Sequence, residues 1–277
     1  MRKSLIVTLA GLSLALIHLQ TRETLIAQGA PPAGSQAQPA QGQGQRGGQR
    51  GGRGQQPAVP SKPTPRRPDG RPILGALPED RGIWGACCGS LSNEKTPFQP
   101  WAKALLDYRR ANEFEPHTRC KPSGGARQFV TPYGTEILEF PEMQRIYIFD
   151  IGGPHTFRTI YMDGRPHPKD LVPSYYGHST GRWEGDTLVI DTTGFNEGFW
   201  MDRAGSPHTE KLRFVERLTR TDYNTMRYEV TVDDPGAYTE PWTTNAFQLR
   251  WNSGQELFEY VCQDNNFASE LMIGAEK

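Results

Sequence analysis

The stretch KLRFVERLTRTDYNTMRYEVTV, residues 211–232, decides the fold class. From Lys211 to Thr219, Leu and Phe alternate with Lys and Arg, which is the two-residue period of a strand with one buried face. Asp222-Tyr223-Asn224 then supplies turn residues, and strand-forming residues resume from Met226 to Val232. The stretch therefore predicts two antiparallel strands joined by a tight turn.

Similar short runs fill most of the chain after Arg127. They are rich in β-branched and aromatic residues and are broken by Pro and Gly. Almost no helical pattern separates them, which disfavours a parallel sheet with helical crossovers. The further predicted strands are Gln128–Tyr133, Thr135–Phe140, Arg145–Ile151, Thr156–Met162, Arg182–Glu184, Thr187–Asp191, Ala246–Trp251 and Leu257–Cys262.

One helix is expected before these strands. Pro100 suits a first helical turn, and Trp101, Ala104, Leu105 and Tyr108 recur at helical spacing on one face. We therefore expect a mostly β fold, an antiparallel barrel or a sandwich, with one N-terminal helix.

A lipocalin-like barrel is the preferred form of this fold. Such barrels often carry Gly-x-Trp before their first strand, and Gly82-Ile83-Trp84 resembles that signature. Gly181-Arg182-Trp183 is a second match to the same short pattern.

Three segments are expected along the chain. Residues 1–29 read as a signal peptide, because Arg2 and Lys3 precede an apolar stretch and Ala27-Gln28-Gly29 offers a cleavage site; an uncleaved anchor is the alternative. Residues 30–72 are rich in Gln, Gly, Pro and Arg, which predicts a disordered tether. Residues 73–277 hold every aromatic side chain and should form a single β-rich domain. We therefore expect an exported protein, periplasmic or secreted.

The net charge of zero, from 31 basic and 31 acidic residues, arises because a basic N-terminal part and an acidic body cancel each other. The part of the chain from residue 71 onward has 22 basic and 29 acidic residues, so the folded body is acidic and is not expected to bind nucleic acid. The cationic tether is the segment that suits contact with anionic envelope polymers. The oligomeric state is not predicted.

Four cysteines suit an oxidising compartment. Cys87 and Cys88 are adjacent and would form only a strained ring with each other. The expected bridge joins Cys120 to Cys262, with Cys87 or Cys88 as alternative partners of Cys120.

The densest polar region runs from Asp150 to Asp191 and contains a long Pro-rich loop. Long loops on a rigid β scaffold often carry binding sites, and a His there can exchange protons near neutral pH. An Arg can hold a carboxylate or phosphate by two hydrogen bonds. The catalytic candidates are His155, His167, His178 and Asp163, and the ligand-binding candidates are Arg158, Arg165, Tyr175 and Tyr176.

Two other motifs point to weaker alternatives. Pro-His-Thr occurs three times, and a metal site would need His117, His155 and His208 to meet. Gly177-His178-Ser179-Thr180-Gly181 matches the nucleophile elbow of hydrolases, but its flanks do not suit that motif. No metal and no cofactor is therefore expected.

Three stretches resemble a group of exported, uncharacterised bacterial proteins. They are GGPHTFRTIYMDGRPHP (152–168), WEGDTLVIDT (183–192) and VDDPGAYTEPW (232–242). The resemblance implies one exported domain and no particular activity. The leading hypothesis is an exported β-barrel that binds a small organic ligand, anions included. The alternatives are an enzyme on the same scaffold, a hydrolase, lyase or isomerase with a loop His as general base, and an envelope-associated structural protein.

Overall fold

The computed structural model describes residues 61–85, 90–150, 152 and 154–264. Most of these residues belong to strands or to the turns between them. One α-helix, α1, spans Pro100–Asn112. The strands are β1 (Gly82–Gly85), β2 (Thr135–Phe140), β3 (Arg145–Asp150), β4 (Phe157–Tyr161), β5 (His178–Glu184), β6 (Thr187–Thr193), β7 (Arg213–Asp222), β8 (Thr225–Asp233), β9 (Trp242–Thr243) and β10 (Phe247–Ser253).

The strands close into a barrel. β1 pairs with β10 and β2, the following strands pair in chain order, and β8 pairs back with β10. Nine strands thus form the closed wall, and the short β9 adds to β8 beside β10. The predicted mostly β barrel is confirmed, and the sandwich alternative is excluded.

One pair of neighbouring strands departs from the antiparallel pattern. β4 and β5 run parallel, because residues 162–177 cross over between them instead of making a hairpin. Parallel neighbours need a long connection, which explains why the polar loop predicted from the sequence is long.

Apolar side chains fill the barrel. Every second residue of β7, including Phe214 and Leu218, is buried, as the alternation of the sequence requires. The segment Gly125–Val130 is entirely buried, and the Phe129 ring centroid lies 4.7 Å from that of Tyr228. Other inner residues are Ile146, Ile148, Ile160, Leu188, Ile190 and Val230.

Two predicted strands are wrong. The region Gln128–Tyr133 begins in a 3₁₀ turn, Gly125–Val130, and Gln128 donates a hydrogen bond to the carbonyl of Ile148 instead of joining a sheet. The region Leu257–Cys262 is irregular chain. Both regions have β-forming side chains, but neither pairs with a strand of the sheet.

Pro100 is the first residue of α1, but the predicted buried face of this helix is wrong. Ala102 and Leu106 are buried, whereas Trp101 and Tyr108 are largely exposed. The Trp101 indole lies across the surface and donates a hydrogen bond to the carbonyl of Gly236. An aromatic side chain can thus satisfy its polar atom at the rim while leaving the core to smaller neighbours. No helix in the described ranges is long and apolar enough to cross a membrane.

Residues 61–72, which we call the N-terminal strap, lie against the barrel. Arg66 donates two hydrogen bonds to Asp186 in the β5–β6 turn, and Arg67 lies 3.4 Å from Glu139 at the end of β2. The strap also hydrogen-bonds Arg220 and Asp222 through Thr64 and Ser61. The predicted signal peptide and tether residues 30–60 lie outside the described residues.

Candidate functional site

A cleft opens in the barrel wall where β4 and β5 separate. These strands pair only at Ile160–Ser179 and Tyr161–Thr180, so the first part of β4 and the chain before β5 diverge. The resulting wall cleft has a volume of about 490 Å³. Its lining comprises Pro122, His155, Thr156, Phe157, Arg158, Thr159, Tyr161, Ser174, Tyr175, Tyr176, Gly177 and His178.

A buried carboxyl group stands behind the cleft. The Tyr176 hydroxyl donates to Asp150 over 3.1 Å and accepts a 2.8 Å hydrogen bond from the Thr156 hydroxyl. Asp150 also accepts a hydrogen bond from the backbone N–H of Gly152. Burial raises the pKa of Asp150 to about 6, although these donors favour its charged form. Burial also raises the pKa of Tyr176 well above its usual value, so its hydroxyl stays protonated.

Two histidines meet at the other side of the cleft. The Nδ1 atoms of His167 and His178 are 2.8 Å apart, so one ring donates and the other accepts. His178 also stacks on Tyr161, with ring centroids 5.0 Å apart. Burial lowers the pKa of His178, and the neighbouring His167 and Arg165 lower it further. The pair is therefore uncharged on at least one ring near neutral pH.

A carboxylate lies behind this histidine pair. The Nε2 atom of His167 is 3.7 Å from Asp191, which also binds Arg213 through both carboxylate oxygens. Burial opposes ionisation of Asp191, but the hydrogen bond and charge of Arg213 lower its pKa. Asp191 thus remains a carboxylate and lies close to Nε2 of His167 on the side away from His178.

His155 occupies the third side of the cleft in an unusual backbone conformation. Its φ of 51° lies in the left-handed region, which residues other than glycine rarely adopt. Within the described chain its Nε2 is buried without a hydrogen-bond partner. Its ring centroid lies 5.5 Å from that of Tyr260. The strained backbone and the free nitrogen make His155 the least satisfied polar side chain of the cleft.

The two arginines predicted to bind a ligand are already paired. Arg158 turns into the barrel and forms two hydrogen bonds with Glu216, with both side chains almost fully buried. Arg165 forms an ion pair with Asp163 on the outer surface. The structure therefore brings His155, Tyr175, Tyr176 and His178 together, with His167 behind His178, and directs Arg158, Arg165 and Asp163 to other partners.

The three histidines of the metal alternative are not brought together. No three His, Cys, Asp or Glu side chains in the described ranges are close enough to hold a metal ion, so His117, His155 and His208 do not form such a group. Ser179 is buried in β5 and hydrogen-bonds Thr192, a position unlike an exposed nucleophile.

The predicted disulfide between Cys120 and Cys262 is present. It attaches the chain after β10 beside the cleft, because Phe258 and Tyr260 of this segment contact His155. Cys87 and Cys88 lie outside the described residues.

Asp150, Thr156 and Asp191 are site residues that the sequence reasoning did not select. Asp150 follows Ile146 and Ile148 at alternate positions of β3, and all three are buried. A carboxylate at an inward-facing position of a predicted strand is unusual, and this feature of the sequence could have identified Asp150. Nothing comparable marks Thr156 or Asp191, whose roles depend on which strands are neighbours.

Comparisons with protein-family models, curated proteins and solved structures find no match to this chain. The fold and the site geometry thus define a structural class, a closed β-barrel with an aromatic and histidine-lined cleft in its wall.

The Asp150 carboxyl should make stability depend on pH in an identifiable way. Because its folded pKa of about 6 exceeds the ordinary value of 3.8, its contribution to stability is full only well below pH 3.8 and is lost as the pH rises through 6. We expect the unfolding free energy of Asp150→Asn, relative to the parent, to rise by about 2 kcal/mol between pH 4 and pH 7. Urea unfolding at several pH values measures this difference. If the difference in unfolding free energy between the variant and the parent does not change with pH, the pKa of Asp150 is not raised by folding.

Proposed function

We propose that this protein is an exported β-barrel domain that binds a small organic ligand in the wall cleft. The observation that carries the proposal is the convergence of His155, Tyr175, Tyr176 and His178 on one cleft of about 490 Å³. Ligand sites typically combine aromatic walls with a few placed polar groups in a volume of this order. Both walls of the cleft are anchored in the barrel, because β4 also pairs with β3 and β5 also pairs with β6.

The composition of the cleft favours a neutral ligand with an aromatic or other flat apolar part. Phe157 is half exposed and offers a ring face on β4, while the buried Nε2 of His155 is a polar atom without a hydrogen-bond partner in the described chain. Among the residues that line the cleft, Arg158 is committed to Glu216 in the interior and Arg165 is absent, so no lining guanidinium is free to bind an anion. The ligand class proposed for this cleft therefore excludes anions.

Export remains part of the proposal. A Cys120–Cys262 bridge is stable in an oxidising compartment and is rare in the cytosol, which supports export. The Gly82-Ile83-Trp84 signature supports a lipocalin-like relationship, since Trp84 is buried at the start of the barrel.

The ligand proposal is tested by blocking the cleft. Thr159→Trp places an indole in the cleft, and Thr231→Trp is its control because Thr231 is also half-buried on a strand but lines a different surface. A library of small neutral aromatic compounds is screened by thermal shift on the parent. We expect compounds that raise the melting temperature of the parent and of Thr231→Trp but not of Thr159→Trp. Equal shifts in both variants, or no active compound, would refute binding at this cleft.

An enzyme on the same scaffold is the second candidate, and the Asp150–Tyr176 hydrogen bond is the observation that favours it. A carboxyl group with a pKa of about 6 can exchange protons near neutral pH, and Tyr176 connects it to the cleft. If a bound compound is also converted, Asp150→Asn should abolish conversion while binding persists. Binding without conversion supports the first candidate.

The filled barrel interior suits the third hypothesis, an envelope-associated structural protein, which predicts no specific ligand.

A further inference from the structure

A second cleft lies at the end of the barrel, under the N-terminal strap. We call it the strap cleft; the β2–β3 turn, the end of β4 and the middle of β5 form its other walls, and its volume is about 350 Å³. It shares no lining residue with the wall cleft. Arg67 and Arg71 of the strap line it together with Arg145 of β3 and Arg182 of β5.

The strap cleft carries an excess of positive charge. Four arginines line it against two carboxylates, Asp69 and Glu139. Glu139 is already occupied, since it accepts hydrogen bonds from the backbone N–H groups of Leu74 and Gly75 and lies 3.4 Å from Arg67. The surplus is notable because the folded body as a whole is acidic. A concave positive site on an acidic domain concentrates small anions.

Two of the guanidinium groups are available to a ligand. In the described chain Arg145 forms no ion pair, and its guanidinium carbon lies 5.4 Å from the centroid of the Tyr161 ring. Arg182 pairs with Glu184, but both side chains are exposed, and such pairs exchange partners at little cost. Arginine forms two parallel hydrogen bonds with a carboxylate or a phosphate, so Arg145 and Arg182 suit the same kind of anion.

Apolar side chains form the remaining surface of this cleft. Trp183 is half-buried and packs against the core, and Phe140, Ile146 and Met162 lie beside it. A purely inorganic anion would leave this surface in water. An anion with an aromatic ring would cover it and gain the stacking and burial that Trp183 offers.

We propose that the strap cleft is a binding site for a small aromatic anion, whose carboxylate or phosphate contacts Arg145 and Arg182 and whose ring packs against Trp183. Arg67 and Arg71 close the site from the strap. Binding there ties the strap to the barrel, so the ligand also stabilises the attachment of residues 61–72.

The test is calorimetric titration of the full-length protein with benzoate, phenyl phosphate, inorganic phosphate and benzyl alcohol. We expect one of the two aromatic anions to bind, with inorganic phosphate and the neutral alcohol at least about tenfold weaker. Their relative affinities distinguish a carboxylate from a phosphate. Arg145→Gln and Arg182→Gln should each weaken binding about tenfold, the effect of one charge-assisted hydrogen bond.

Arg227→Gln is the matched control, because Arg227 pairs with Glu229 two residues along the same strand, as Arg182 pairs with Glu184. It should bind like the parent, and so should Thr159→Trp, whose substitution blocks only the wall cleft. Melting curves of all variants confirm that they are folded. The proposal is overturned if neither aromatic anion binds, if benzyl alcohol binds equally well, or if Arg145→Gln and Arg182→Gln bind like the parent. These outcomes are independent of ligand binding at the wall cleft.

Discussion

Glu216→Gln should destabilise the barrel by about 3–5 kcal/mol, because it leaves the Arg158 guanidinium charged and without a counter-ion in the interior. The pair is joined by hydrogen bonds of 2.6 and 2.8 Å, and Tyr228 donates a third hydrogen bond to Glu216. For a domain of this size the loss corresponds to a fall in melting temperature of roughly 10 °C or more. Calorimetry of the parent and the variant measures it.

The double variant Arg158→Met/Glu216→Leu provides the decisive control. Replacing both charges with apolar side chains removes the unpaired ion, so we expect the double variant to be more stable than Glu216→Gln and close to the parent. The exposed pair Arg227–Glu229 serves for comparison, and Glu229→Gln should cost less than about 1 kcal/mol. If Glu216→Gln is as mild as Glu229→Gln, water reaches the pair and Arg158 is accessible to ligands after all.

Removal of the Cys120–Cys262 bridge should cost about 3–5 kcal/mol. The two cysteines are separated by 142 residues, so the bridge restricts a long loop of the unfolded chain. Cys262→Ser measures the loss in urea unfolding experiments. Since the segment after β10 packs against His155, we also expect weaker ligand binding at the wall cleft in this variant.

Cys87→Ser/Cys88→Ser is the control for the bridge, and it should leave the stability of the oxidised protein within about 1 kcal/mol of the parent. Peptide mapping under non-reducing conditions identifies the linked cysteines directly. A peptide joining Cys120 to Cys87 or Cys88 would contradict the pairing.

Much of the fold is predictable from alternation. The runs around β2, β3, β6, β7 and β8 lie within a few residues of their observed bounds, because a strand with one buried face leaves a two-residue period in its sequence. Alternation does not show which strands are neighbours, so the parallel β4–β5 pair was not foreseen. It also misassigned Gln128–Tyr133 as a strand, whereas the first part of this region belongs to the buried 3₁₀ turn Gly125–Val130.

The candidate site was predictable in part, because the length and polarity of its loop are visible in the sequence. The loop that crosses from β4 to β5 is long and polar, and it brings Tyr175, Tyr176 and His178 to the cleft. Residue type alone made Arg158 look like a ligand-binding side chain. Its position beside Ile160 on the inner face of β4 commits it to the interior, and its partner Glu216 is 58 residues away in the sequence. Long-range partners of this kind are set by topology, which one sequence does not display.

The pairing of β1 with β10 sets the order in which the chain can fold. The strands that close the barrel lie at opposite ends of the domain, with Gly82 opposite Ser253. Contacts this remote in sequence form late and slow the folding reaction. Until residue 253 is available, β1 and β8 each expose an unpaired edge that can join another chain. A fragment that ends before Phe247 should therefore aggregate instead of forming a smaller barrel. Closure of the barrel thus depends on β10, which is the last strand of the domain to be synthesised.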